Sequence, residues 1–170
     1  SLRVLYFGTY ERDYPRNAQV ISCLRRAGVE VAEHHEPVWD GRRDSWQAGA
    51  GAVLRLGAAE LRLLRRPPDG FDAVIVGYPG HFDLPAARRA ARDRPVVFNP
   101  LVSLADTFVA DRGRFRPGSP AARALARVDR HAFRSADLVV ADTRAHADHL
   151  AELAGLPPSR IEVALVGAEE

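Results

Sequence analysis

The stretch AVIVGYPGHFDLP, residues 73–85, begins as a short run of β-branched and small apolar residues and ends in a turn rich in glycine and proline. An apolar run of this length, bounded by turn residues, is typical of a strand buried on both faces. An alanine-rich segment near 84–92 follows it and predicts a short helix. Strand–loop–helix units of this kind, repeated along a chain, form a parallel sheet covered by helices.

The same alternation of strand and helix patterns extends along the whole chain of 170 residues. Strands are predicted over 3–7, 29–34, 72–77, 95–99, 137–142 and 160–167, and helices over 15–27, 47–66, 84–92, 103–111, 120–135 and 144–154. These elements predict an α/β fold with an open, doubly wound parallel sheet in a single domain. The last predicted strand has no closing helix after it, which we interpret as truncation of a longer protein.

The composition excludes several classes of function. Hydrophobic residues make up 46% and charged residues 27%, and the net charge is only +2. No basic face with interleaved aromatic residues indicates nucleic-acid binding, and no apolar run approaches the roughly 20 residues of a membrane span. The single cysteine, Cys23, lies in an apolar helical pattern and is predicted to be a small buried side chain. These features predict a cytoplasmic protein.

Ligands of an open parallel sheet bind outside the carboxyl ends of its strands. The loop after the first strand has only one glycine, Gly8, whereas a dinucleotide fingerprint needs three, and the chain has no lysine for a P-loop. What remains is a polar loop before a helix N-terminus, able to bind an anion or a polyol; a solvated connecting loop is the alternative. The predicted binding residues at these strand ends are Gly8, Thr9, Tyr10, Arg12, Arg16, Gly80, Asn99 and Ser103.

Two titratable residues are the candidates for chemistry. His81 is the first candidate for proton transfer, because imidazole titrates near neutral pH, and a surface histidine in a turn is the alternative. Asp106 lies in an apolar helical segment, where it could also merely face water. The motif HADH, residues 146–149, puts two histidines three residues apart, but no third ligand is evident, so no metal site is predicted.

The predicted helix 47–66 is amphipathic. An apolar stripe suits packing on the sheet, and with arginines on the other side it would also suit an anionic membrane surface. Peripheral contact with the inner face of a membrane therefore stays open. The stripe is formed by Trp46, Ala50, Val53, Gly57, Leu61 and Leu64, with Arg55, Arg62 and Arg66 opposite and Leu54, Leu56 and Leu63 widening the apolar arc.

Four segments together resemble the N-terminal half of bacterial retaining glycosyltransferases of family 4. They are LRVLYFGTYERDYPRNAQVISCLRRAGVEV (2–31), DAVIVGYPGHFD (72–83), RPVVFNPLVSLADT (94–107) and ADLVVADTRAHADHLAELAGLPPSRIEVALVGAEE (136–170). The order and spacing of these segments carry the resemblance, which covers nearly the whole chain. It implies a GT-B arrangement, in which two Rossmann-like domains face a cleft.

The resemblance also implies roles for particular residues. This chain would be the acceptor-side domain, and a C-terminal domain absent from it would bind most of the nucleotide-sugar donor. Gly8 and Thr9 match the loop near the donor phosphates and the acceptor. Asn99 falls where many relatives have a histidine or an acidic residue, and an amide cannot take a proton. His81 and Asp106 are left as the catalytic candidates beside the acceptor hydroxyl.

The function that the resemblance implies is transfer of a sugar, of the hexosyltransferase type, from a nucleotide sugar to an acceptor hydroxyl with retention of configuration. No metal cofactor is expected, and the 170 residues alone are expected to be inactive. A free-standing Rossmann-like module that binds a nucleotide or polyol without catalysis is the alternative.

Overall fold

The computed structural model describes residues 1–39, 49–107, 113 and 115–165. Its six strands form one sheet in the order β2-β1-β3-β4-β5-β6, and every neighbouring pair is parallel. The predicted open α/β sheet is therefore confirmed. The strands are β1 (Arg3–Gly8), β2 (Glu30–His35), β3 (Ala73–Val76), β4 (Val96–Phe98), β5 (Leu138–Ala141) and β6 (Ile161–Val163), and the helices are α1 (Pro15–Arg26), α2 (Gly49–Leu63), α3 (Leu84–Ala91), α4 (Pro120–Ser135) and α5 (Arg144–Ala154).

The strands β3 to β6 are shorter than their apolar patterns. A residue at the end of such a run, such as Asp72, bonds to the neighbouring strand without continuing the ladder. The helix predicted over 103–111 is seen as helical turns over 104–107, and residues 108–111 lie outside the described residues. So do residues 47 and 48 of the second predicted helix and residues 166 and 167 of the last predicted strand.

The main core lies on one face of the sheet. Alternate residues of a strand point to opposite faces, so Leu5 and Phe7 of β1 face this core while Tyr6 between them faces α1. Parts of α3, α4 and α5 cover the core face, together with Leu63 of α2. Right-handed crossovers account for this division, because only the β1–β2 connection runs toward the β2 edge of the sheet.

Only the β2 side of the opposite face is covered by α1 in the described part of the chain. A groove of about 720 Å³ follows α1 over the middle of the sheet, with Ile75, Val97 and Val140 among its lining residues. Cys23 also lines this groove and is exposed, so the prediction that it is buried is wrong. The cause is the packing of α1, which buries Ile21 about 200° away around the helix.

The orientation of α2 shows which of its apolar residues pack on the protein and which face outward. Its sequence suited both packing on the sheet and contact with a membrane surface. Ala59 and Leu63 are buried, and Leu56 packs with Val38 and Trp39. The apolar stripe that could have packed on the sheet instead faces outward at Val53, Leu61 and Leu64. Leu63 and Leu56, which the sequence places beside that stripe, make the inward contacts.

Candidate functional site

The parallel arrangement brings the loops after β1, β3, β4 and β5 to one side of the sheet, here called the carboxyl edge. The predicted binding residues follow these strands or begin the adjoining helix, so the predicted gathering along one edge is found. Three groups of contacts hold these loops together: one around Asp83, one around Arg16 and one around His81.

Asp83, just before α3, holds the loop after β1. Its Oδ2 accepts a hydrogen bond from the Thr9 backbone N–H at 2.8 Å, and its Oδ1 accepts from Thr9 Oγ1 at 3.0 Å. Trp39 Nε1 donates to the same hydroxyl oxygen at 3.2 Å. Gly8 has a φ of +127°, and a Cβ there would collide with the Asp83 carboxylate. Glycine at position 8 is therefore what allows the carboxylate to approach the loop.

A second carboxyl group joins this contact from α2. Glu60 hydrogen-bonds to Asp83, and burial together with the Asp83 charge raises the pKa of Glu60 to about 11. Glu60 therefore carries the proton of the pair at neutral pH and donates it to the fully buried Asp83. This pair could not be predicted from local sequence patterns, because Glu60 and Asp83 are far apart along the chain.

Arg16 and Asn99 meet at the end of the groove beside α1. Arg16 Nε donates to Asn99 Oδ1 at 3.3 Å, and its Nη1 donates to the carbonyl oxygen of Ala164 at 3.0 Å. Both side chains line the groove and are buried. No carboxylate among the described residues forms an ion pair with Arg16. The groove therefore combines apolar walls with a buried cation at the carboxyl edge.

Tyr10 and Arg12 lie in the loop after β1, and their side chains bond to a residue of β2. The Tyr10 hydroxyl donates to Glu33 at 2.7 Å, and Arg12 Nε donates to the same carboxylate at 3.3 Å. Burial acts to raise the pKa of Glu33, but these two partners hold it below its ordinary value. Arg12 and Arg16, both predicted to bind a ligand, thus have different partners, and the structure does not bring them together in one site.

His81 lies inside the molecule rather than on a surface turn. Its Nε2 donates to the Val102 carbonyl oxygen at 2.8 Å, and its ring stands edge-on to Phe98 and Phe133, with centroids 5.2 and 5.9 Å away. Burial lowers the pKa of His81 to about 4. The surface alternative is therefore wrong, and the imidazole is neutral at physiological pH.

Gly80 shapes the turn that leads to His81. It has a φ of +45°, and a Cβ there would collide with the carbonyl oxygen of Gly77. The Tyr78–Pro79 peptide bond just before it is cis. The glycine predicted as a binding residue therefore has a conformational role in bringing the turn back toward β3.

Asp129 of α4 also holds the loop after β4, to which His81 bonds. Its two oxygens accept the backbone N–H groups of Leu104 and Ala105, both at 2.8 Å, and Oδ1 lies 3.7 Å from His81 Nε2. Burial raises the pKa of Asp129 to about 6. Sequence reasoning missed this residue. The available signal was an acid in the apolar stripe of an amphipathic helix, next to Ala132 and Phe133.

Ser103 and Asp106 complete the loop after β4. Ser103 Oγ accepts from the backbone N–H of Asp106 at 2.9 Å, and Asp106 Oδ2 lies 2.6 Å from His149 Nε2 on α5. The Asp106 side chain is 39% exposed, so unlike His81 it is open to solvent. Asp106 and His81 are thus held by different partners.

The other histidine of the HADH motif also pairs with a carboxylate. His146 Nδ1 lies 2.7 Å from Asp142 Oδ1. Burial opposes ionisation of Asp142, but the His146 bond and the Arg16 charge hold its pKa below its ordinary value. Within the described ranges, no three His, Cys, Asp or Glu side chains are grouped so that they could hold a metal ion.

No curated protein matches this chain. The model of one family, described as the glycosyl transferase 4-like domain, matches residues 3–167 and so includes all six strands. The match agrees with the resemblance drawn from the sequence and with the parallel Rossmann-like sheet. The chain belongs to the glycosyl transferase 4-like domain family.

Proposed function

We propose that this chain is the acceptor-side domain of a retaining glycosyltransferase that moves a sugar from a nucleotide sugar to an acceptor hydroxyl. The observation that carries the proposal is the family match over the whole parallel sheet. The gathering of buried polar residues at the carboxyl edge supports it, because this is where open α/β sheets bind ligands.

Asn99 and Asp106 are the residues that we assign to the acceptor. Asn99 is fixed by Arg16 at the wall of the groove and binds the acceptor without taking a proton, since its side chain is an amide. Asp106 is partly exposed and has His149 at 2.6 Å, so this pair can exchange a proton with a hydroxyl at the carboxyl edge. Asp106 is accordingly our candidate for contact with the acceptor hydroxyl.

His81 has a different part in the proposal. Its buried, neutral ring bonds to the Val102 carbonyl oxygen, and Val102 lies three residues after Asn99 and directly before Ser103 along the chain. His81 was predicted to be a catalytic residue; in our proposal it is instead a positioning residue that holds the loop after β4, and it does not carry the reacting proton.

The donor side of the reaction is assigned to a second Rossmann-like domain outside this chain. The departing nucleoside diphosphate would be stabilised at the cleft by backbone N–H groups and by arginine side chains. No bound metal is part of the proposed reaction. Addition of EDTA should therefore leave turnover unchanged.

The proposal is tested with the complete polypeptide that contains this domain, using a panel of nucleotide sugars and NMR detection of the product. We expect sugar transfer with the anomeric configuration of the donor retained. We expect no transfer by the 170 residues alone. Inversion at the anomeric carbon would contradict the retaining mechanism, and transfer by the isolated chain would contradict the assignment of the donor site to another domain.

A further inference from the structure

One side of α2 is apolar and uncovered in the described part of the chain. Seven large hydrophobic side chains are exposed in the whole described part of the chain, and four of them belong to α2 or to the residue just after it. We call these four residues the outer face of α2. They are Val53, Leu54, Leu61 and Leu64, with exposed fractions of 69%, 75%, 63% and 41%.

The outer face is separate from the side of α2 that packs on the protein. At 100° per residue, the four side chains fall within an arc of about 100°, while Ala59 and Leu63 point to the other side of the helix. Since Ala59 and Leu63 are buried, the helix already has its contact with the core. The outer face does not take part in that contact, and its four apolar side chains are exposed to water.

The two charged residues that directly follow the outer face along the chain are both positive. Arg65 and Arg66 follow Leu64 directly along the chain, just after the helix, and both are exposed. The only acid of α2, Glu60, turns inward to bond with Asp83. Arg62 lies farther around the helix, where it pairs with Glu36 of the neighbouring loop at 2.9 Å. A partner of this face would therefore meet apolar side chains followed by the positive charges of Arg65 and Arg66, which form no ion pair with a described residue.

We propose that the outer face of α2 binds the surface of an anionic lipid bilayer, with its leucines among the acyl chains and Arg65 and Arg66 at the phosphate groups. Helices that lie in a membrane interface have this combination of an apolar face and basic residues. None of the helices in the described ranges has the length and hydrophobicity of a membrane span. The proposed contact is with the surface of the bilayer, and it does not depend on the proposed transfer reaction.

The test is flotation of the chain with vesicles of phosphatidylcholine, with and without phosphatidylglycerol. We expect the chain to float with the anionic vesicles and much less with the zwitterionic ones. The double variant Leu54→Gln/Leu61→Gln should reduce the partition coefficient by about tenfold or more, because it removes two large apolar side chains from the contact. Arg65→Gln/Arg66→Gln should reduce it by about tenfold on anionic vesicles only.

Two matched controls separate this contact from nonspecific effects. Leu2→Gln removes an exposed leucine far from α2 in sequence, and Arg127→Gln removes an exposed arginine of α4. Both should float like the unchanged chain. All these positions are exposed, so the melting temperatures should stay the same. Equal flotation of the double leucine variant and the unchanged chain would overturn the proposal, and so would absence of flotation with anionic vesicles.

A protein partner is the other possible occupant of this face. Sedimentation velocity of the chain without lipid distinguishes it. Self-association that the Leu54→Gln/Leu61→Gln variant abolishes would assign the outer face to a second copy of the chain and overturn the membrane proposal. A monomer that floats with anionic vesicles supports it.

Discussion

The buried polar residues of the molecule lie mostly at or near the carboxyl edge. Burial of a polar side chain costs free energy unless its hydrogen bonds are made, and here nearly all of them bond across loops that are distant in sequence. Asp83 bonds to Thr9, Arg16 to Asn99, and Asp129 to the loop after β4. The edge is thus built by long-range polar contacts. The described buried polar residues are Thr9, Arg16, Asn17, His81, Asp83, Asn99, Ser103 and Asp129.

The Glu60–Asp83 pair makes the first residue-scale prediction. Between its ordinary pKa of 4.5 and its folded pKa of about 11, Glu60 keeps a proton in the folded chain that the unfolded chain releases. The free energy of unfolding therefore falls as pH rises through this window. Glu60→Gln supplies a permanent N–H donor to Asp83, so its stability relative to the unchanged chain should increase from about pH 5 to about pH 9.

Urea unfolding at several pH values measures this difference. Glu152→Gln, at an exposed position of α5, is the matched control and should show no such trend. A Glu60→Gln variant that is destabilised equally at every pH would show that the buried carboxyl pair does not share a proton as described.

His81 and Asp129 make a second residue-scale prediction, because their effects on stability oppose each other. The folded pKa of His81 is about 4 against 6.5, so the unfolded chain binds its proton first and stability rises with pH in this range. The folded pKa of Asp129 is about 6 against 3.8, so its contribution falls with pH. Between about pH 4 and about pH 6 the two largely cancel.

Single substitutions should reveal how each residue alone makes the free energy of unfolding depend on pH. In Asp129→Asn, the free energy of unfolding should rise more steeply with pH than in the unchanged chain, whereas in His81→Phe it should rise less steeply or fall. Each variant also leaves a buried backbone group unpaired, which should cost about 1–3 kcal/mol. His131→Phe, on the exposed side of α4, serves as the control. Identical slopes in both variants would refute the opposed titrations.

At the scale of the element, sequence patterns predicted which segments are strands and which are helices. They predicted less reliably which side of a helix faces the core. Apolar runs and caps are local signals, and Ser119, Thr143 and Gly155 flank the ends of the helices predicted over 120–135 and 144–154. Which side of a helix is buried depends on the other elements that it packs against. Cys23 and the apolar stripe of α2 face outward because other residues of the same helices fill the available contacts.

The helix caps give an element-scale prediction. Ser119 Oγ accepts from the Ala122 N–H at 3.2 Å, and Thr143 Oγ1 accepts from the His146 N–H at 3.1 Å. Replacing either residue by alanine should lower the free energy of unfolding by about 0.5–2 kcal/mol. Ser22→Ala, at an exposed position inside α1, should cost much less. Thermal unfolding compares the three, and equal small losses would contradict the cap assignments.

At the scale of the whole molecule, the sequence was sufficient to predict the parallel sheet and the side on which its loops gather. Alternating strand and helix patterns leave few topologies, and a parallel sheet fixes which strand ends meet. The partners across the carboxyl edge could not be predicted. Asp83 with Glu60, and His81 with Asp129, depend on contacts between segments whose distances no local pattern contains.

The groove beside α1 links the sheet to the proposed reaction. Its apolar walls are formed by residues of the strands and of α1, and its polar end is formed by Arg16 and Asn99. The position of Asn99, after β4 and at the edge of this groove, is what makes it the acceptor contact in our account. A substitution there should therefore change acceptor binding without changing donor binding.

The most direct measurement is steady-state kinetics of Asn99→Ala in the complete polypeptide, with donor and acceptor varied separately. We predict that kcat/KM for the acceptor falls by about tenfold or more, since a hydrogen-bonding side chain is lost. The KM for the donor should stay unchanged, and Asp148→Asn on α5 should match the unchanged enzyme. A raised donor KM with an unchanged acceptor kcat/KM would contradict the acceptor-side assignment of this domain.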